Sequence, residues 1–314
     1  MKRNILLFIL IIFFHYRAFS QAIPRFNPDT LLTVVIDSVV VIKTAKSGLN
    51  QEDFIQRIIS DTSFYDAFRA MKKYKFLGEN SIYTYQKNNN IEGSIYKKFI
   101  HNPAKGAQKI TYLEERSSGK LYKKNGKYNL KTVEMFDYIF TNAYKSYYAP
   151  ASGNSTNSDK NQSYKDKLKT LIFSPGRPIK GIPVISGKTE IFSSNMRQYY
   201  DYMFYSGTYL DSIPVYRFKV TLKDDLSNWT KNGLMIKELT TIFDKRNFQI
   251  LGRYIDMKLD NLAFSFDIQM NIEMSYFFDE LLPTKISYQG NWDIPFKKEE
   301  RVSFLIAHKN YTEK

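Results

Sequence analysis

Between Leu262 and Tyr276 apolar and polar residues alternate without a break, and no other feature restricts the fold so tightly. The even positions are Leu262, Phe264, Phe266, Ile268, Met270, Ile272, Met274 and Tyr276; the odd ones are small, amide or acidic residues. A helix would scatter the even set around its circumference, whereas a strand places all of it on one face. Fifteen residues at about 3.3 Å each reach roughly 50 Å, two to three times a common strand. A strand this long, with one dry face, requires a sheet of similar length and something to cover it.

The C-terminal half supplies the rest of such a sheet. Strict alternation recurs in Tyr216–Lys223, and shorter runs follow at Ile286–Tyr288, Trp292–Ile294 and Val302–Ile306. Asp244-Lys245-Arg246-Asn247 and Asp260-Asn261 are tight-turn signals between strands. Leu31–Ile42, rich in Val and Ile, reads as a further buried strand. The cover comes from three helical patterns. Asn50, with acids directly behind it, caps a helix whose Phe54, Ile55, Ile58 and Ile59 share one face. Asp61-Thr62 restarts the pattern through Phe64, Phe68 and Met71 to about Tyr74. Helices are also expected over 132–144 and 164–173. Residues 75–129 read as short β runs separated by Asn88-Asn89-Asn90, Asn102-Pro103 and a Lys124-Asn125-Gly126 hairpin turn. The expected class is therefore α+β: a long, curved antiparallel meander, half-barrel or open barrel, with covering helices.

The chain begins with an export signal. Lys2 and Arg3 precede the apolar run Ile5–Phe14, and Ala18-Phe19-Ser20 offers small residues for cleavage between Ser20 and Gln21. Ten apolar residues are too few for a membrane span, which takes about 20, and no other stretch is long enough. With no cysteine in the chain, neither a lipidated N-terminus nor a disulfide framework is available. The expected organisation is a signal peptide (1–20), helices and short strands (21–147), a polar linker (148–163) and a long-stranded sheet (164–314) that shares one core with 21–147. The expected location is the periplasm or the exterior. Removal of the leader takes three of the 46 basic residues and no acidic one, leaving 43 against 31 and a net charge of +12. Such a balance favours anionic envelope surfaces; nucleic acid is not expected after export.

Two resemblances extend this reading. The segments EDFIQRIISDTSFYDAFRAMKKY (52–74), LYKKNGKYN (121–129), LKTLIFSPGRPIKGIP (168–183) and LLPTKISYQGNWDIPFKK (281–298) resemble an uncharacterised family of exported bacterial proteins. No activity attaches to that family. VYRFKVTLK (215–223), IFDKRNFQILGRYIDM (242–257) and the Leu262–Tyr276 strand are similar, in strand rhythm, to periplasmic lipoprotein-carrier-like half-barrels. Those proteins hold acyl chains between a curved sheet and lid helices; the resemblance implies the fold more directly than the function, because one fold hosts many functions.

Catalytic chemistry is thinly represented. Outside the leader the histidines are His101, expected in a loop, and His308, expected at a strand end; 207 positions apart they form no metal motif. No Gly-x-Ser-x-Gly turn accompanies His308. Gly181–Thr189 has five residues between its glycines where a P-loop has four, one of them Pro183. Asp267 and Glu273, about 20 Å apart along a strand, are too distant for a glycosidase pair and read as surface charge. No cofactor is expected. The leading expectation is a non-enzymatic carrier of a lipid or lipidated partner. Its ligand residues would be Phe264, Phe266, Ile268, Met270 and Met274 on the dry face, with Arg177 and Lys180 near an anionic head group. Methionine suits a variable apolar ligand as well as ordinary core. An envelope interaction module and a carbohydrate-active enzyme are the alternatives.

Overall fold

The computed structural model describes residues 50–103, 108–141, 164–179, 187–260, 265–293 and 298–313, together with the backbone of 34–39. The strands are β1 (Val34–Val39), β2 (Lys75–Tyr85), β3 (Ile91–Pro103), β4 (Gln108–Ser118), β5 (Tyr200–Tyr209) and β6 (Ile213–Leu222). They continue with β7 (Ile236–Asp244), β8 (Ile250–Asp260), β9 (Ser265–Phe277), β10 (Glu280–Asp293) and β11 (Glu300–Thr312). All eleven join one antiparallel sheet in the order β1-β5-β6-β7-β8-β9-β10-β11-β2-β3-β4. The sheet is open, with β1 and β4 at its edges. The fold is mostly β, and its helices are short.

Register extends the dry face of β9 across the molecule. Met270 stands opposite Ile255 of β8 and Tyr288 of β10. Tyr288 faces Phe304 of β11, Phe304 faces Ile82 of β2, and Ile82 faces Ile95 of β3. All six are buried in one apolar core that takes residues from Phe54 to Tyr311. Antiparallel pairing brings equivalent pleats together, so one alternating strand imposes its inside and outside on its neighbours.

Helices α1 (Gln51–Ser60) and α2 (Ser63–Ala70) lie over this face. Asn50 Oδ1 accepts from the Asp53 N–H and Asp53 Oδ2 accepts from the Asn50 N–H, a complete capping box. Asp61 caps α2 by accepting from the Phe64 N–H at 2.8 Å. Phe54 of α1 packs among Phe204, Phe218 and Phe243, with ring centroids 5.1–5.5 Å away. Burying that ring contributes roughly 1.5–3 kcal/mol. Among the described residues the other helices are α3 (Lys131–Phe136), continued by a π-type turn over Asp137–Thr141, α4 (Tyr164–Phe173), α5 (Ser194–Arg197) and α6 (Asn228–Gly233).

Two expectations are corrected here. Residues 75–118 form three strands of 11, 13 and 11 residues, not short runs. The second face of β9 is not a solvent face: Gln269, Asn271 and Glu273 are 4%, 0% and 5% exposed. Asn271 Nδ2 donates to Glu273 Oε1 at 2.9 Å, and Lys285 lies 3.4 Å from the same oxygen. Glu273 is therefore a buried carboxylate held by neighbours, and half-buried Asp267 pairs with Lys258 at 3.1 Å. The signal peptide, the linker 148–163, most of Gly181–Thr189 and the Asn261 turn residue lie outside the described residues.

On β2, Gly78 leaves the space that the Phe99 ring occupies; a Cβ there would stand 2.3 Å from that ring. A glycine inside a strand marks this kind of close approach. Gly78→Ala is expected to destabilise the fold by about 1–3 kcal/mol, read from the urea midpoint. Adding Phe99→Leu should recover part of that loss, and a midpoint unchanged by Gly78→Ala would refute the packing assignment.

Candidate functional site

Beneath α3 and α4 the apolar face is not completely filled. A cavity of about 50 Å³ lies between the two helices and β8–β11. Its sheet wall includes Phe266, Ile268 and Met270, with Tyr288 and Trp292 beside them; Met135, Phe136 and Ile139 close it from above, and Leu171 and Ile172 from α4. Tyr288 lies flat on Phe304, centroids 4.5 Å apart, and accepts a hydrogen bond from Trp292 Nε1 at 2.9 Å. Gly290 makes room for it, since a Cβ there would meet the Tyr288 hydroxyl at 2.0 Å. Space of this size holds a few water-sized groups, and its walls are almost wholly apolar.

The covering helices are tied down by long-range polar contacts. Leu130 at the α3 N-cap makes no side-chain cap. The Glu300 carboxylate from β11 replaces it, accepting from the N–H groups of Lys131 and Thr132 at 2.9 and 2.8 Å and from Thr132 Oγ1 at 2.6 Å. A carboxylate also complements the positive end of the helix dipole. At the far end of α4, Arg253 Nη1 donates to the carbonyls of Ile172 (3.2 Å) and Phe173 (2.8 Å). Its guanidinium lies 4.6 Å from the centre of the Phe64 ring. Burial pulls Arg253 down to about 10, with Asp61 opposing the shift, so it stays charged at neutral pH. Lys169, also buried, donates to Tyr65 Oη at 3.3 Å and sits 4.2 Å above the Tyr138 ring, joining α4 to α2 and to the turn after α3.

The residues expected from sequence are placed in four ways. Phe266, Ile268 and Met270 line the cavity. Met274 is buried in the same core but outside the cavity wall, and its carbonyl accepts from Tyr209 Oη at 2.8 Å. Arg177 braces the end of α1, Nε donating to the Ile59 carbonyl at 2.8 Å. Phe264 and Lys180 lie outside the described residues. The helix wall, Met135, Phe136 and Ile139, lies within the helix expected over 132–144.

The two histidines are also placed differently. Neither is in a loop: His101 is in β3 and His308 in β11, both buried. They flank Phe76, ring centroids 4.6 and 4.9 Å from it. His101 Nδ1 donates to the Tyr74 carbonyl and His308 Nδ1 to the Pro283 carbonyl, since a carbonyl can only accept. Pro283 also accepts from Tyr311 Oη at 2.7 Å. Among the described residues no three His, Asp or Glu side chains gather as a metal site.

Neither the protein-family models nor the curated proteins contain a match to this sequence. Among solved structures, a DUF1329 family protein from Desulfovibrio piger is similar at 11% identity, over 81% of this chain and 94% of that one, with a TM-score of 0.23.

Burial pulls the His308 imidazole down to about 4, against the Pro283 carbonyl, which favours the charged form; His101 adds to the depression. The unfolded chain takes up this proton near pH 6.5, and the folded chain only near 4. Between those values the unfolded state binds one more proton, so stability is lost as pH falls through the window, by on the order of 3 kcal/mol. His308→Asn keeps a donor for Pro283 and removes the titration. The native protein should lose more stability than His308→Asn between pH 7 and 4.5 in urea denaturation, and parallel losses would disprove the assignment.

Proposed function

We propose that this is an exported, non-enzymatic envelope protein that holds an apolar or amphiphilic ligand between a curved, half-barrel sheet and helices α3 and α4. The ligand class is a lipid or the acyl chain of a lipidated partner. One observation carries the reading: the apolar cavity in which Phe266, Ile268 and Met270 meet the underside of two short helices. The leader at residues 1–20 supports export to the periplasm or beyond.

The cavity is small beside ligand pockets of about 300–1,000 Å³. Uptake of an acyl chain therefore requires α3 and α4 to move outward, which their construction suits. α3 has only six helical residues, far below the length at which a helix is stable alone. Methionines on both walls, Met135, Met257 and Met270, repack around an irregular guest. Both histidines are engaged by backbone carbonyls, which favours structural duty over proton transfer.

Native mass spectrometry of gently purified protein, and titration with a fluorescent long-chain fatty acid, test this directly. The native protein is expected to bind the probe. Ile268→Phe, which fills the cavity from the sheet side, should weaken binding by roughly tenfold or more, because the guest then competes with a ring for the same space. An unchanged circular dichroism spectrum would show that the variant is folded. Absence of both a co-purifying amphiphile and probe binding by the native protein would overturn the proposal.

A further inference from the structure

Between β4 and α3 the chain carries four lysines, at 120, 123, 124 and 127, a fifth, Lys131, opens α3, and no acidic residue falls over 119–131. The structure gathers the first four on one exposed hairpin. Tyr122 bridges Tyr128 across the turn, with the rings stacked 5.3 Å apart. Lys123 N–H donates to the Lys127 carbonyl at 2.7 Å, and Gly126, at φ +75°, lets the chain reverse. Asn129 Nδ2 donates to the Lys120 and Tyr122 carbonyls at 2.6 and 3.3 Å, and buried Leu121 anchors the base.

Among the described residues, the charges on this hairpin stand apart from the paired ones around them. Lys131 pairs with Glu134, and at the same end of the sheet Lys87 and Lys298 are engaged by Glu299 and Glu92. Among the described residues, Lys120, Lys123, Lys124 and Lys127 form no ion pair. Lone exposed lysines commonly do no more than keep a protein soluble. Four unpaired lysines fixed on one turn instead make a concentrated positive potential, which seeks a surface of repeating negative charge.

We propose that the hairpin over 120–127 docks the protein on an anionic phospholipid bilayer through lipid phosphates. The four ammonium groups supply attraction without insertion, as polybasic segments do at charged leaflets. Docking here would bring α3, which follows directly in the chain, to the membrane surface. Docking of this kind does not require the cavity to be occupied.

Co-sedimentation of the mature protein with vesicles tests it. The protein should sediment with phosphatidylcholine vesicles that contain phosphatidylglycerol, release as salt is raised, and ignore pure phosphatidylcholine. The quadruple variant Lys120→Gln, Lys123→Gln, Lys124→Gln, Lys127→Gln should bind roughly a hundredfold or more weakly. All four side chains are exposed, so the fatty-acid probe should bind this variant as it binds the native protein, which separates failure of docking from failure of the cavity. Native-like sedimentation of the quadruple variant would overturn the proposal. So would binding to a soluble acidic polysaccharide with none to vesicles.

Discussion

Everything else in this molecule depends on register. Each strand from β2 to β11 pairs in antiparallel fashion with its neighbours, and a one-residue slip at any seam would turn a strand's buried residues outward. Bulges at several seams, between Ile242 and Phe243 or after Pro283, correct the pleat locally without breaking this continuity. The line from Ile255 through Met270, Tyr288, Phe304 and Ile82 to Ile95 is thus a single surface built by five hydrogen-bonded seams. It is too long for the sheet to shield by itself, and among the described residues the helices between strands cover it.

Apolar contact drives those helices onto the sheet but does not say where on it they stop, because the hydrophobic effect has no direction. Half-buried Glu300 and the buried charges of Arg253 and Lys169 provide that information. Glu300 fixes the start of α3, Arg253 fixes the end of α4, and Lys169 holds α4 to α2. Removing one partner of such a contact leaves a buried charge or unpaired backbone groups, so each tie is far costlier to break than it was to form. Position is specified by a few polar atoms, and adhesion by many apolar ones.

What could be read from sequence follows the same division. Alternation in β9, the capping pattern at Asn50, the extent of α4 and the turn after Asp244 are local signals, and each has a structural counterpart. β2 to β4 read as short because Lys97, Lys98 and Asn80 interrupt their apolar pattern; β2 is held along its length by β11, a non-local contact, and β3 and β4 pair onto it in turn. The sheet side of the cavity was legible because Phe266, Ile268 and Met270 sit on one strand. The Glu300 cap joins residues 168 apart, and Phe76 unites His101 and His308 from different strands. No periodicity records either. The polar residues opposite the dry face misled for a related reason: alternation distinguishes two faces but cannot say that both are buried.

Stability is unevenly distributed over the cover, and this bears on where it can open. α1 has a capping box and a phenylalanine ringed by aromatic neighbours, and α2 is capped by a buried aspartate. α3 is six residues long, lacks a cap of its own, and passes into a π-type turn whose wider spacing weakens the backbone ladder. Its hold on the sheet comes from Glu300 and a few side chains, several of which border the cavity and so lack neighbours on one side. The least costly displacement of the cover is therefore at α3, at the point where the cavity lies and directly after the basic hairpin. A surface that engaged those lysines would act on the cover where it is weakest.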